Sequence, residues 1–334
     1  MYRNRKWLVA FTILFRLGSD CYAQDPNFSQ YFASPLSLNP ANTGFFDGDY
    51  RIAFNTRQQW WNVGQPYTTA SASVDTRIPL KGLAEGDRLG IGFMGLADES
   101  LGGALKSGYV SASGSYHKRL ARNGAHNLGI GIQVTYTNRN FDYSKLTFAS
   151  QYNGRIFDPT LPADATFNAT SVNHLDLNLG LLYSGYRDWG NYFAGLSVYH
   201  LSKPVETLFN EAGDAVPYRT TFHAGGTLRA TDNSNWIVSG IYMNQGTASD
   251  QMIGTAYEMS SNSEKRPISL YVGFWYRFSQ SYIPYIGLEY GNVMAGLNYG
   301  ITTTKSAFKP RTVELSLIFR KRSFTNQAGI CPKF

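Results

Sequence analysis

Strict alternation of apolar and polar residues runs through the chain from Tyr50 onward and limits the folds that it can adopt. Residues 175–181 are the clearest case, because every second residue is leucine and the residues between are aspartate, asparagine and glycine. Side chains alternate between the two faces of a β-strand, so the pattern predicts strands with one apolar and one polar face. Residues 128–136, 268–278 and 312–319 follow the same rule, and helical spacing fits none of them.

The alternating segments number about fourteen, and most are roughly 9–13 residues long, which suits tilted strands that cross a bilayer. They are centred near residues 54, 72, 92, 112, 132, 180, 196, 224, 240, 255, 273, 286, 297 and 316. Tyrosine and tryptophan collect at the segment ends, where membrane barrels carry their aromatic girdles. The residues concerned are Trp60, Trp61, Tyr183, Tyr186, Trp189, Tyr192, Tyr282 and Tyr290.

Composition favours strands over helices as the elements that cross the membrane. Charged residues make up only 16% of the chain, yet its mean hydropathy is -0.28, which is far too polar for a bundle of transmembrane helices. A barrel wall needs apolar side chains on one face only. The other face is rich in glycine, serine, asparagine and threonine, as a solvated or plugged lumen requires. We therefore predict an all-β fold, a transmembrane antiparallel up-and-down β-barrel of about 14 strands.

The connections between segments also follow the organisation of a membrane barrel. The two longest, residues 140–173 and 202–217, are odd-numbered connections, whereas residues 187–190, 231–235 and 291–292 are short even-numbered ones. Outer-membrane barrels place long loops on one side and short periplasmic turns on the other. With an even number of strands, both termini are expected on the periplasmic side.

A soluble all-β protein, such as a propeller or a secreted sandwich, is the alternative that the alternation leaves open. The strands of such proteins usually run about 5–6 residues, and propeller blades repeat at a roughly fixed period. No such period is visible in this chain. The membrane barrel is therefore the favoured interpretation.

Residues 1–23 have the composition of a secretory signal peptide. Three basic residues precede a short apolar run, and residues 21–23 offer a small-x-small cleavage site before Gln24. The apolar run stops at Arg16, well short of the roughly 20 residues that a transmembrane anchor needs. A lipoprotein signal at Cys21 is disfavoured, because the preceding aspartate stands where a small residue is expected.

The chain is thus expected to comprise a signal peptide at 1–23, an N-terminal periplasmic or plug segment at 24–49, an outer-membrane barrel at 50–322 and a C-terminal periplasmic tail at 323–334. Once the signal is removed, Cys331 is the one remaining cysteine, so no intrachain disulfide can form. The formal net charge of +7 is modest. No cluster of lysine and arginine with interleaved aromatic residues predicts nucleic-acid binding.

No motif in the chain predicts catalysis. Residues 90–95 match G-x-G-x-x-G in letters, but a dinucleotide site needs that loop between a strand and a helix, and here the glycines alternate within a strand. The five histidines are scattered, with no pair at metal-ligand spacing. No serine stands out as a nucleophile, although a hydrolase that uses serine and histidine is left open. We expect no enzyme activity, cofactor, metal or small-molecule substrate.

The segment between the signal and the first strand carries the most distinctive sequence. Residues 24–31 read Q-D-P-N-F-S-Q-Y, residues 38–44 read L-N-P-A-N-T-G, and residues 57–61 read R-Q-Q-W-W. These runs resemble the PorP/SprF family of Bacteroidetes outer-membrane proteins, which typically opens with Q-D-P-x-F-S-Q-Y, L-N-P-A-x-x-G and an R-x-x-W/Q-W block. Residues 282–290 and the closing C-P-K-F at 331–334 are also similar to that family.

The resemblance implies a non-catalytic outer-membrane component of the type IX secretion system, which exports proteins across the outer membrane and supports gliding motility in many relatives. Members of the family look dedicated to specific surface proteins such as gliding adhesins, which they help to export or anchor. The implied partners are outer-membrane lipid, that cargo, and other secretion or gliding components. Three alternatives stay open: a passive porin or small-solute channel, an outer-membrane enzyme such as a phospholipase, and a structural anchor for a periplasmic ring.

The N-terminal segment and the first two strands hold the predicted interaction site. Proline and asparagine extend a sheet ladder poorly, so residues 24–49 are expected to fold back into the barrel mouth. Arg51, Asn55 and Arg57 lie on the face opposite the apolar side chains of their strand and should point into the lumen. Asp75 or other acids should pair with them there, since unpaired charge in a confined site is costly. We expect these residues to pin the segment to the wall in preference to contacting cargo. The predicted set is Phe28, Gln30, Tyr31, Asn39, Pro40, Gly44, Arg51, Arg57, Gln59, Trp60 and Asp75.

Overall fold

Fourteen long strands close into one barrel in the computed structural model. Each strand pairs antiparallel with its neighbours, and the first pairs with the last. The strands are β1 Tyr50–Gln59, β2 Tyr67–Ile78, β3 Arg88–Ser100, β4 Leu105–Arg119, β5 His126–Phe141, β6 Ser171–Arg187, β7 Gly190–Tyr199, β8 Val205–Glu206, β9 Asp214–Ala215, β10 Arg219–Thr231, β11 Ser234–Gln245, β12 Ala248–Ser260, β13 Ile268–Arg277, β14 Ser281–Tyr290, β15 Val293–Thr302 and β16 Arg311–Arg320, of which β8 and β9 form a separate two-stranded hairpin. The structure describes residues 24–80, 82–84, 86–121, 125–158, 160–163, 171–206, 214–261, 268–303 and 309–321. The predicted barrel and its strand count are confirmed.

The alternation along each strand separates an outward apolar face from an inward buried face. On β5, Leu128, Ile130 and Ile132 are 45%, 54% and 50% exposed, whereas Gly131 and Gln133 face inward and are buried. Soluble proteins rarely leave apolar surface of this extent in water. A continuous outward apolar band is the surface that a bilayer covers in a membrane barrel.

The inner wall of the barrel is mostly polar on one side, and on the other it carries an apolar cluster among buried polar and charged residues. From β2 to β10 most inward side chains are small, polar or charged. On β1 and from β11 to β16, inward residues form a buried apolar cluster: Ala53, Ile237, Ile241, Met252, Ala256, Tyr271, Trp275, Ile283, Tyr285, Met294 and Ile318. The expectation of a polar inner face therefore holds for only part of the wall, because this cluster packs against Tyr31 and Phe32 of the N-terminal segment.

The two ends of the barrel differ in their connections. One end holds the connection from β1 to β2 and the two longest loops, residues 142–170 and 200–218, and we call this end the mouth. The base is the opposite end, where β1 begins and β16 ends. It carries the two-residue turns 188–189, 232–233 and 291–292. The predicted separation of long and short connections holds only in part, because the mouth also has short connections at 246–247 and 278–280, and the base has longer ones at 79–87 and 261–267.

Two predicted parts of the chain lie outside the described residues. These are the signal peptide at 1–23 and the C-terminal tail at 323–334, which contains Cys331. The location of the two termini relative to the membrane accordingly stays a prediction. In the part of the chain that the structure describes, no helix is long and apolar enough to span a bilayer.

Candidate interaction site in the barrel lumen

The N-terminal segment passes through the inside of the barrel from the mouth to the base. We call residues 25–46 the lumenal segment. Gln24, just before it, lines a cavity at the mouth together with the ends of β1 and β15. At the base, the N–H of Asp49 donates to the carbonyl oxygen of Lys321 at 2.8 Å. Gln24 and Lys321 therefore lie at opposite ends of the barrel.

Short helical turns give the lumenal segment its shape. A single turn of α-helix, α1 (Pro35–Leu38), is followed by a 3-10 turn, Pro40–Asn42. Proline suits the first position of each turn, because its fixed φ matches a helix and its missing N–H would have no partner there. The side-chain oxygen of Asn39 accepts from the N–H of Ala41 at 2.8 Å and caps the second turn. The segment is therefore compact and adds no strand to the barrel.

Aromatic side chains hold the early part of the lumenal segment against the apolar side of the wall. The ring centroid of Phe32 lies 5.6 Å from the centroids of both Trp275 and Tyr285. The hydroxyl of Tyr31 donates to Ser239 Oγ at 2.6 Å. Burying one phenylalanine side chain contributes about 1.5–3 kcal/mol, so these contacts oppose withdrawal of the segment from the lumen.

Glycines on the polar side of the wall leave room for the backbone of the lumenal segment. A Cβ added to Gly131 would lie 2.3 Å from the carbonyl carbon of Pro40. One added to Gly90 would lie 2.5 Å from the carbonyl oxygen of Thr43. Contacts this short to backbone atoms cannot be relieved by rotating a side chain. Gly90 begins the G-x-G-x-x-G-like run, so packing against the segment accounts for glycine at this position.

Asn39 ties the middle of the lumenal segment to the polar side of the wall. It is fully buried, its Nδ2 donates to the carbonyl oxygen of Leu181 at 2.9 Å, and the same atom lies 3.1 Å from His223 Nε2. A Cβ added to Gly180 would lie 1.9 Å from Asn39 Oδ1. Only glycine at position 180 therefore leaves room for the side-chain amide of Asn39.

Arg51 and Asp75 form one buried ion pair, which bonds the end of the lumenal segment to β1 and β2. Arg51 donates to the Asp75 carboxylate from Nη2 at 2.8 Å and from Nε at 2.9 Å. The N–H of Gly44 donates to the same carboxylate at 2.7 Å, and its φ of +65° favours glycine. The guanidinium of Arg51 also lies 4.8 Å from the ring centroid of Phe46. The structure thus brings together three of the residues that the sequence singled out.

Arg57 pairs with Glu314, a site residue that sequence reasoning missed. Arg57 Nε lies 3.1 Å from Glu314 Oε1, and both side chains are buried. Arg57 Nη1 donates to the carbonyl oxygen of Asn27 at 2.6 Å. With its amide oxygen turned toward the guanidinium, Gln59 accepts from the same nitrogen at 2.8 Å. The one sequence signal for Glu314 was an acidic residue on the inward face of the last strand.

A cavity of about 650 Å³ opens at the mouth beside the start of the lumenal segment. Arg139 and Asp98 are among its charged lining residues, and Trp60 and Tyr67 are among its aromatic ones. The rings of Trp60 and Tyr67 meet nearly at right angles with 5.0 Å between centroids. Trp60 therefore lies at the mouth, apart from the predicted site residues inside the lumen.

Backbone strain also collects at the mouth. In the described ranges, every non-glycine residue with a left-handed φ lies in a mouth connection. These residues are Trp60, Leu101, His200, Lys203 and Ser279. Strained backbone persists where the surrounding structure holds it in place, and it clusters at functional sites. Among the described residues, this backbone strain is therefore confined to the mouth.

A cluster of charges at the mouth fastens the start of the lumenal segment to the loop between β7 and β10. His200 Nε2 lies 2.7 Å from Asp25 Oδ2, and its Nδ1 lies 2.7 Å from Asp176 Oδ2. Arg219 Nη1 lies 3.1 Å from Asp25 Oδ2. We call these four residues the mouth latch. Over the described residues, no group of three or more His, Cys, Asp or Glu side chains is arranged to hold a metal ion.

The charges of the mouth latch stabilise one another. Burial opposes ionisation of Asp25, but the positive charges of Arg219 and His200 outweigh it and hold the pKa of this carboxyl well below its usual range. Burial likewise disfavours the charged form of His200, but the carboxylates of Asp25 and Asp176 raise its pKa to about 9. His200 is therefore protonated, and the latch is fully charged, at neutral pH.

Raising the pH is expected to weaken the mouth latch. Because folding raises the pKa of His200 from 6.5 to about 9, its contribution to stability is complete below pH 6.5 and is lost as the pH rises through 9. The charged and titratable groups that face His200 are Asp25, Asp176, Arg219 and His174. Urea unfolding in detergent micelles measures the free energy of unfolding of the wild type and of His200→Gln. The difference in free energy of unfolding between the wild type and His200→Gln should shrink from pH 6.5 to pH 9. A difference that stays constant over this range would contradict this role of His200.

The fold and the site together define a membrane-type β-barrel whose lumen is occupied by its own N-terminal segment. The family model described as "Type IX secretion system membrane protein PorP/SprF" matches residues 20–319. The chain belongs to this family, as the resemblance in residues 24–31 and 38–44 predicts. It is therefore an outer-membrane component of the type IX secretion system. No curated protein matches the chain.

Several solved structures are similar to the chain over most of its length. A Pseudomonas aeruginosa FadL homologue is 10% identical, with 84% of this chain and 92% of that chain covered and a TM-score of 0.49. The Pseudomonas putida toluene transporter TodX is 9% identical, with 89% and 94% covered and a TM-score of 0.49. The translocator domain of the autotransporter NalP from Neisseria meningitidis is 10% identical, with 87% and 95% covered and a TM-score of 0.42.

Proposed function

We propose that this protein helps to export or anchor specific surface proteins, such as gliding adhesins, without catalysing a reaction. Its family supports a role in type IX secretion. The observation that carries the finer proposal is the occupied lumen. The lumenal segment is bonded to the wall at Asn39, at Gly44 and beside Arg57. A barrel filled in this way suits docking and anchoring better than the passage of solutes.

The same observation disfavours the alternative of a passive porin. A porin needs a water-filled channel along the axis of its barrel. Here Phe28, Tyr31, Phe32 and Leu36 of the lumenal segment are buried inside the barrel. Removing these side chains from the lumen would return their apolar surface to water, at about 1.5–3 kcal/mol for each. In this proposal the segment is therefore a permanent occupant of the lumen.

The proposal also includes an orientation in the membrane. Short turns of outer-membrane barrels face the periplasm and long loops face outward, so the base is periplasmic and the mouth is external. Residues 323–334 then meet periplasmic secretion or gliding components, while the mouth cavity meets cargo. Gln24 lies at the mouth, so in this proposed orientation it is on the external side, unlike the periplasmic location expected from the sequence. A periplasmic location is thus proposed for the C-terminal end alone.

Deletion of the gene is expected to remove a specific adhesin from the cell surface while other secretion stays intact, because a dedicated partner affects its own cargo. Quantitative proteomics of proteins released from intact cells measures this effect. Complementation with the wild-type gene is the control and should restore the adhesin. An unchanged set of surface proteins with altered solute uptake would contradict the proposal and support the porin.

The same assay can show which end of the barrel serves the cargo. Trp60 is 44% exposed at the mouth, and Trp189 is 52% exposed in a turn at the base. Complementation with Trp60→Ala should leave less adhesin on the surface than complementation with Trp189→Ala, the matched control. Equal amounts of adhesin with the two variants would argue against docking at the mouth.

A further inference from the structure

The pairing of β1 with β16 closes the barrel and joins strands from opposite ends of the chain. Across this closing seam, Arg57 is the direct partner of Glu314, and Asn55 is the direct partner of Ser316. All four side chains are buried on the inner side of the wall. A contact between residues so distant in sequence carries the largest loop-closure entropy. The closing seam is therefore the pairing that most needs additional stabilisation.

The dipeptide Ser29–Gln30 of the lumenal segment binds the β16 side of the closing seam. The N–H groups of Ser29 and Gln30 each donate to a carboxylate oxygen of Glu314 at 2.8 Å. Gln30 Nε2 donates to the carbonyl oxygen of Glu314 at 3.1 Å. In return, Ser316 Oγ donates to Gln30 Oε1 at 2.6 Å. Gln30 thus uses both its backbone and its side chain to hold β16.

The same part of the segment also binds the β1 side of the closing seam. Asn55 Nδ2 donates to the carbonyl oxygen of Gln30 at 3.3 Å. Arg57 Nη1 donates to the carbonyl oxygen of Asn27 at 2.6 Å while its Nε pairs with Glu314. Gln30 is 1% exposed. The segment is therefore a buried bridge between the first and the last strand.

Glu314 makes closure and segment docking depend on each other. Its carboxylate is fully buried, and it is bonded by Ser29, Gln30, Arg57 and the side chain of Asn298. Depriving a buried charge of its partners is strongly unfavourable. A closed seam without the segment would lose two charge-assisted hydrogen bonds, which are the stronger kind. The closed barrel is consequently more stable with the dipeptide in place.

We propose that Ser29–Gln30 is an internal closure clamp, which promotes the pairing of β1 with β16 so that the barrel closes around its own segment. The distinctive run at residues 24–31 then serves barrel assembly. This role is independent of which surface protein is served. It would hold equally if the protein had no dedicated cargo.

Disulfide trapping can follow closure of the seam during folding. Phe54 and Leu317 are direct partners across the closing seam, and both face outward. Val110 and Tyr136 are the equivalent outward partners between β4 and β5, where neither strand belongs to the seam. Opposed residues of antiparallel strands lie about 4.5–5.5 Å apart at Cα, within the range of a disulfide. Each pair is replaced by cysteines in the full chain, with the two native cysteines changed to serine.

We expect substitution of Gln30 to slow cross-linking at the closing seam and not elsewhere in the barrel. During folding into detergent micelles under mild oxidation, Gln30→Ala should slow the 54–317 cross-link about tenfold, as expected for the loss of two buried hydrogen bonds. The 110–136 cross-link should form at the wild-type rate. Gln24→Ala removes an exposed amide just before the same segment, so it is the matched control and should leave both rates unchanged.

A second variant tests the carboxylate and keeps the proposal open to contradiction. Glu314→Gln preserves the shape of the side chain, so it should also slow the 54–317 cross-link and spare the 110–136 cross-link. Equal slowing of both cross-links in the two variants would mean a general folding defect and would overturn the clamp. Wild-type rates at the seam in either variant would overturn it as well.

Discussion

Replacing Asp75 with alanine is expected to lower the free energy of unfolding by about 3–5 kcal/mol, the usual effect of breaking a buried ion pair from one side. The variant leaves the guanidinium of Arg51 buried without its carboxylate partner and removes the acceptor of the Gly44 N–H. Asp75 is 1% exposed, so water has little access to replace the lost groups. Urea unfolding in detergent micelles, followed by tryptophan fluorescence, measures the effect.

Two further variants separate this ion pair from a general effect of lost charge. Asp49 lies at the same end of the barrel with an exposed side chain, so Asp49→Ala should change the free energy of unfolding by less than about 0.5 kcal/mol. The double variant Arg51→Met, Asp75→Leu should recover much of the loss, because no charge is then left buried alone. Equal effects of Asp75→Ala and Asp49→Ala would contradict the structural role of the pair.

Replacing Gly131 with valine is expected to open the lumen of an otherwise intact barrel. A Cβ at this position would lie 2.3 Å from backbone atoms of Pro40 and Ala41, so the lumenal segment must move away from the wall. In planar bilayers the wild type should show no steady conductance, because its lumen is occupied. Gly131→Val should show a steady conductance, of the size expected for an open barrel of 14 strands.

The matched control for this substitution is Gly95→Val. Gly95 lies on the outward face of β3, and a Cβ added there would meet nothing within 4 Å. This variant should stay as silent as the wild type, and its folded fraction on heat-dependent gel electrophoresis should match that of Gly131→Val. Steady conductance of the wild type itself would support the porin. Silence of a well-folded Gly131→Val barrel would mean that the segment remains seated.

Most of the barrel could be predicted from the sequence, because the signal of a strand is local. The alternation in residues 175–181 is visible from immediate neighbours alone. The apolar side of the lumen could not be predicted in this way. In β14, Tyr282 and Pro284 face outward while Ile283 and Tyr285 face inward. Both faces are large and apolar there, so alternation does not show which of them meets the lumenal segment.

For the candidate site, the sequence predicted which residues face the lumen better than it predicted which of them pair with each other. Alternation places Arg51 and Arg57 on the lumen face and offers Asp75 as a nearby partner. The partner of Arg57 is Glu314, which comes next to it only through the register of the closing seam. His200 carries no sequence signal at all, since the mouth latch assembles side chains from four separate stretches of the chain. Pairings of this kind follow from long-range closure, which no local pattern encodes.

A partner that pulls on the loop between β7 and β10 would load more than that loop. His200 transmits the tension to Asp25, and the lumenal segment passes it on to β2 at Gly44, to β5 at Leu36 and to β16 at Gln30. Bonds to several strands then resist together in shear, whereas a hairpin pulled from its tip peels apart one bond at a time. The filled interior therefore spreads a pull on one loop over bonds to three strands of the wall.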